Sequence, residues 1–134
     1  MRENMGLFRG KGVSGYHLDE WVYGYYCKDF WKPRKGHGII PINEDDGGYV
    51  EVDPETVGEC TGLKDKNGKL IFEGDIVKGS NILHSNRKIY QVAFDDGSFE
   101  LFDHKGVGWH HSHIDNKEVI GNIHDNPELL EVNK

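Results

Sequence analysis

The chain of 134 residues has the length of one domain, and its 36% hydrophobic content suffices for a modest core. Its formal net charge of −7 at pH 7 disfavours a protein that grips duplex nucleic acid over a large surface, because such a surface is usually basic. The 18 glycines and the 11% aromatic content favour turns and strands over long helices.

The N-terminal half is predicted to form short extended segments. Residues 7–11 form one strand candidate, and the aromatic run from Glu20 to Trp31 forms the next. Alternation along this run places two sets of side chains on opposite faces. One set is Trp21, Tyr23, Tyr25 and Cys27, and the other is Val22, Gly24 and Tyr26. A glycine inside the run indicates a bulge or the close approach of another backbone.

Two further elements are predicted before residue 60. Pro41 places the apolar segment "IIPI" at the edge or the end of a strand, because proline has no N–H to donate. A strand follows at 49–52. Asp53 then suits the N-cap of one helical turn, with Pro54 at its first position and Gly58 at its exit.

Three sharp reversals are predicted in the second half. Asn67-Gly68 predicts a two-residue hairpin of type I′, in which both residues have positive φ. Residues 73–75, with the sequence Glu-Gly-Asp, predict a second corner six residues later. The Asp-Gly pair at 96–97 predicts a third hairpin between "KIYQVAF" and "SFELF".

The C-terminal part is predicted as a long loop at 103–117, a short strand at 118–123 and a helical turn at 124–132. The fold class that follows is mostly β: a small SH3-like, partly open barrel with additional N-terminal strands and short helical turns. We expect one domain over 1–134, in which 1–60 supplies strands and loops and 61–130 supplies the barrel.

Four segments carry a resemblance to a known family: "LFRGK", "EWVYGYY", "VDPETVGECTGLKDKNGKLIFEGDIV" and "EVIGNIHDNPELL". Together they resemble the YopX-like family of phage and mobile-element proteins, from about Arg2 to Leu130. The resemblance implies a small, mostly β protein with an SH3-like barrel, carried by a prophage or integrated element of a Gram-positive bacterium. It implies no catalytic residues for this chain.

Four of the eight histidines fall within ten residues, at His104, His110, His111 and His113. On an extended strand His111 and His113 would share one face, so His104, His111 and His113 are the candidate ligands for Zn²⁺ or Ni²⁺. A solvated loop is the favoured alternative, because the pair has no obvious third ligand other than His104, Asp103 or Asp115. The acidic pairs of the chain lie at predicted turns, where aspartate is expected to bond its own backbone.

A basic cluster surrounds the aromatic residues at 30 and 31. Cations beside aromatic rings can follow a nucleic-acid backbone and stack bases. The candidate nucleic-acid-binding residues are Lys28, Trp31, Lys32, Arg34 and Lys35. An ordinary solvated loop is again the favoured alternative, because the net charge is negative.

The chain contains no GxSxG, P-loop or GxGxxG motif. We therefore expect a non-enzymatic binding or regulatory module without a cofactor. Its expected partners are a second copy of the chain, through open sheet edges, or a host or phage protein; nucleic acid is disfavoured by the net charge. A metal-dependent or acid–base enzyme that uses His104 to Asp115 is the alternative.

The location of the protein is predicted from what the sequence lacks. No apolar stretch approaches the length of about 18 residues that a membrane span requires, and the first residues lack the apolar region of a secretory signal. We therefore expect no membrane partner and a cytoplasmic protein of the bacterial host, with Cys27 and Cys60 as reduced thiols.

Overall fold

The computed structural model describes residues 6–13, 15–28, 37–42, 48–83, 87–95 and 97–133. The strands of this part of the chain are β1 (Leu7–Lys11), β2 (Trp21–Lys28), β3 (His37–Pro41), β4 (Val50–Glu51), β5 (Gly58–Lys64), β6 (Leu70–Phe72), β7 (Asp75–Asn81), β8 (Arg87–Asp95), β9 (Ser98–Phe102), β10 (Gly108–Trp109) and β11 (Ile114–Asn122). Its 3-10 turns are Gly15–His17, Pro54–Thr56, His111–His113 and Pro127–Asn133. None of the described helical segments has the length and apolarity that spanning a membrane requires.

The chain divides into two compact units, Met1–Cys60 and Thr61–Lys134. In the first unit the antiparallel strands follow the order β4-β3-β2-β1, and the start of β5 pairs with β1. This sheet curls back on itself, because Val52 after β4 forms a bridge with Gly12 after β1. The enclosed core is formed by Val22, Ile39, Val50 and Val52, with Phe8, Tyr26 and Val57 packed against them.

In the second unit an antiparallel sheet has the order β10-β9-β8-β7-β11. The short strand β6 lies beside the end of β5, and the Thr61 hydroxyl donates to the Ile71 carbonyl. The core of this unit consists of Ile71, Val77, Tyr90, Val92, Leu101 and Ile114. The structure confirms the predicted fold class, mostly β with a small barrel, extra N-terminal strands and short helical turns.

Asp65 shapes the first reversal of the second unit. Its backbone N–H donates to the Lys69 carbonyl, and its Oδ1 accepts from the N–H groups of Asn67 and Lys69, each at 2.9 Å. Only Gly68 of the predicted pair has positive φ, at 84°. The expected two-residue type I′ turn is therefore wrong: the loop has three residues, 66–68, because the carboxylate holds the backbone N–H groups of a wider turn.

The other two reversals lie where they were predicted. At the second, Gly74 has φ of 94° and the Asp75 carboxylate accepts from the Phe72 N–H at 2.8 Å. At the third, Asp95 of β8 pairs with Ser98 of β9, and Gly97 has φ of 85°. Positive φ favours glycine because any Cβ would be strained there.

The predicted loop at 103–117 is wrong in its second half. It contains β10, a 3-10 turn and the first residues of β11, which pairs with β7 from Ile114 opposite Asn81. The register of β11 shifts twice, and Asn116 has φ of 53°. These irregularities explain why the segment lacks a recognisable strand pattern.

A second bond of Asp65 joins distant parts of this unit. Its Oδ2 accepts from the Val119 N–H of β11 at 2.9 Å, across 54 residues of sequence. Burial alone would raise the pKa of Asp65, but the N–H groups of Val119, Lys69 and Asn67 favour the ionised form, and the net pKa is lowered below 3.8.

We expect Asp65→Asn to reduce the free energy of unfolding by about 3 kcal/mol, because the new amide presents N–H groups to backbone N–H donors. A carboxylate whose pKa is lowered on folding contributes stability above its unfolded pKa of 3.8, and the contribution is lost as the pH falls through the lower folded pKa. Urea unfolding at several pH values measures the difference in unfolding free energy between the wild type and Asp65→Asn. We expect this difference to be constant from about pH 5 to 7 and to become smaller below pH 3.8. The control is Asp95→Asn at an exposed strand end. A difference in unfolding free energy that stays constant into strong acid would contradict the role of Asp65 as an ionised acceptor.

Candidate binding surfaces

Two tyrosines and two isoleucines form an exposed patch on the outer side of the first unit. Tyr25 lies opposite Ile40 in the β2–β3 register, and the Ile42 N–H donates to the Tyr23 carbonyl. The exposed fractions are 39% for Tyr23, 57% for Tyr25, 42% for Ile40 and 58% for Ile42. We call these four residues the β2–β3 face. Large apolar side chains exposed next to one another are typical of a binding surface.

Strand alternation creates this face. Val22 and Ile39 point to the opposite side and are buried in the core, and the sequence pattern predicted that Val22 faces away from Tyr23 and Tyr25. On the same inner side, the Tyr26 hydroxyl hydrogen bonds to Nδ1 of His37 across the two strands. The four outer residues therefore project from two strands that are held together by contacts on their inner side.

Trp21 lies on the same side of β2 as Tyr23 and Tyr25, and two cationic side chains contact its ring. The Arg9 guanidinium lies 4.6 Å from the centre of the indole ring, and the Lys11 ammonium lies 5.5 Å from it. Both cations come from β1, where Lys11 is paired with Trp21 and Arg9 with Tyr23. Cation–π contact with a tryptophan is attractive, so the buried Arg9 and the partly exposed Lys11 hold the Trp21 ring in place.

In the second unit, Asp103 organises the loop between β9 and β10. Its Oδ1 accepts from the N–H groups of Lys105 and Val107, and its Oδ2 accepts from the Trp109 indole N–H at 3.1 Å. Burial would raise the pKa of Asp103, but these donors and the nearby His104 lower it below the ordinary value. The carboxylate is therefore ionised and bound to the protein at neutral pH.

The histidine-rich segment is a turn. His111–His113 is a 3-10 turn, and Nδ1 of His110 accepts from the Ser112 N–H at its start. The strand on which His111 and His113 would share one face does not form here, because the side chain of His110 caps a helical conformation. The His110 and His111 rings lie 4.3 Å apart. Across the described residues, no group of three or more His, Cys, Asp or Glu side chains is arranged to hold a metal ion.

The profile of the YopX protein family matches residues 21–131 of the sequence. This chain belongs to the YopX protein family. The match covers β2 and the elements that follow it, and therefore includes the β2–β3 face, the Asp103 loop and the histidine turn.

The chain is also similar to two further proteins, one of which carries the YopX name. The SPbeta prophage-derived uncharacterized protein YopX of Bacillus subtilis (strain 168) is 36% identical over 73 residues, which is 48% of this chain. The match spans about half of that relative, 52% of its length. The crystal structure of protein EF1440 from Enterococcus faecalis is 29% identical and has a TM-score of 0.53, covering 92% of this chain and 96% of that one.

The residues predicted to bind nucleic acid are only partly placed in this YopX-family chain. Lys28 is the last residue of β2, and Trp31, Lys32, Arg34 and Lys35 lie outside the described residues. The nucleic-acid site and the metal site at His104, His111 and His113 both stay predictions.

A set of polar residues escaped the sequence reasoning. Asn81 and Tyr90 are almost fully buried beside the Asp103 loop, and Lys88 lies on the same side of β8 as Tyr90. The alternation in "KIYQVAF" assigns Lys88 and Tyr90 to one face. It gives no sign that the face borders a cavity, because the cavity is made by distant segments.

Gly24 permits the close pairing of β2 with β3. A Cβ at this position would collide with the Ile40 carbonyl oxygen, which confirms the predicted close approach of another backbone. We expect Gly24→Ala to reduce the free energy of unfolding by about 3 kcal/mol, because main-chain atoms must move apart. Gly48→Ala is the control, since its Cβ would meet nothing within 4 Å. Equal unfolding free energies for the two variants in urea would contradict this account of the face.

Proposed function

We propose that this chain is a phage or mobile-element protein that acts as a non-enzymatic binding module and contacts a protein partner through the β2–β3 face. The Bacillus subtilis relative is derived from the SPbeta prophage, which supports the first part. The exposed Tyr23, Tyr25, Ile40 and Ile42 support the second, and they are the observation that carries the proposal.

The chemistry of the face favours a protein over other partners. Tyrosine offers a large ring and a polar hydroxyl, and aromatic residues are enriched among the residues that dominate binding energy in protein interfaces. Ile40 and Ile42 add aliphatic surface, which has no stacking or hydrogen-bonding role toward bases. The face lies in a chain with a formal charge of −7, which repels polyanions at long range.

Single-stranded nucleic acid is the second candidate partner. The Lys11 ammonium beside the Trp21 ring favours it, because a ring next to an accessible cation suits a flexible strand, whereas Arg9 on the same ring is buried. Binding of a labelled single-stranded oligonucleotide that falls steeply with added salt and weakens in Lys11→Gln would support this partner. Binding that is absent at low salt would remove it.

The protein-partner proposal is tested by changing one tyrosine at a time. Affinity capture uses the full chain on nuclease-treated Bacillus subtilis lysate, with Tyr25→Ser compared with the wild type. We expect Tyr25→Ser to reduce capture of specific proteins about tenfold or more, as for a residue central to an interface.

The matched control is Tyr16→Ser, since Tyr16 is 97% exposed and lies in the Gly15–His17 turn. It should leave capture unchanged. Sedimentation of the same variants over a concentration series reports whether a second copy of the chain is the partner, as the open sheet edges predict. Captured proteins that are retained equally by Tyr25→Ser, together with an unchanged sedimentation profile, would contradict the proposal.

A further inference from the structure

The second unit contains a cavity of about 250 Å³, and none of its lining residues belongs to the β2–β3 face. It lies between β8 and the loop that Asp103 organises. Its lining residues are Asn81, Lys88, Tyr90, Asp103, His104, Lys105, Val107 and Trp109. A water molecule occupies about 30 Å³ of liquid, so the space accommodates a small organic molecule with one ring.

The floor of the cavity is polar and rigid. Asn81 and Tyr90 are almost fully buried. The Asn81 Oδ1 accepts from the Leu83 N–H at 2.9 Å, so the amide nitrogen is left to donate to the Tyr90 hydroxyl. The Tyr90 hydroxyl then accepts from Asn81, and its own proton is available to an acceptor in the cavity. Burial and the charge of Asp103 raise the pKa of Tyr90, which keeps that proton in place at neutral pH.

The rim of the cavity is positively charged. Two lysines, Lys88 and Lys105, line it with one aspartate, Asp103. Both oxygens of Asp103 already accept N–H groups from the protein, so this carboxylate needs no donor from a ligand. In a chain of formal charge −7 the cavity is therefore a local site where donors and cations outnumber acceptors.

We propose that this cavity binds the carboxylate or phosphate group of a small anionic ligand, with Tyr90 and Lys88 as donors. Hydrogen bonds between a charged donor and an anion are stronger than neutral ones. Val107 and Trp109 supply the apolar wall against which the organic part of the ligand packs. Lys105 adds attraction from the exposed side of the loop.

The test uses benzoate, phenyl phosphate and neutral benzamide as probes of similar shape. Each is titrated into the full chain labelled with ¹⁵N at low salt, and the Trp109 indole and the Lys105 and Val107 amide signals are followed. We expect saturable shifts at these signals with one of the anions, at a Kd of about 1 mM for a ligand of this size. The anion that binds more tightly identifies whether the site prefers carboxylate or phosphate.

Variants separate this site from general attraction to lysines. Lys88→Gln and Tyr90→Phe should each weaken binding about tenfold, as expected for the loss of one hydrogen bond to a charged group. Lys64→Gln, at an exposed position of β5, should not change the Kd. Benzamide shifts equal to those of the anions, no saturable shift with either anion, or an unchanged Kd in both Lys88→Gln and Tyr90→Phe would overturn the proposal.

Discussion

The structure depends on hydrogen bonds from backbone N–H groups to aspartate side chains at its turns. Asp65 closes the β5–β6 loop and also holds β11, while Asp75 and Asp103 each organise a further reversal. Asp53 caps the Pro54–Thr56 turn in the same way. Short strands form few backbone hydrogen bonds with their neighbours. Turns whose N–H groups are bonded to an aspartate side chain need no other partner, and they allow such short strands to reverse direction.

These bonds bear on function because they occupy the carboxylates of Asp65 and Asp103 with N–H donors from the protein. Carboxylates that already accept two or three N–H groups in the folded chain are stabilised in the ionised form and are poor general acids at neutral pH. Among the described residues, the surfaces that we propose for recognition are the β2–β3 face in the first unit and the cavity beside Asp103 in the second. One offers apolar area and the other offers donors, so they suit partners of different chemistry.

Local patterns in the sequence predicted what depends on local geometry. The opposite faces of β2 follow from the alternation of side chains, and the three reversals follow from glycines that adopt positive φ. Contacts between distant segments were beyond this reasoning: the bond from Val119 to Asp65 spans 54 residues, and the bridge between Gly12 and Val52 closes the first sheet. The predicted loop at 103–117 contains a 3-10 turn at His111–His113 because the His110 side chain caps it, a choice that composition does not reveal.

The central claim is that the turn aspartates are ionised structural acceptors. It is tested most directly by following carboxyl ¹³C and amide signals of the full chain during an acid titration by NMR. The account predicts that Asp65 and Asp103 titrate below the ordinary value of 3.8, and that the Val119 amide and the Trp109 indole N–H shift with the same midpoints. Midpoints at or above that value, or N–H signals that do not follow the carboxyl groups, would contradict it.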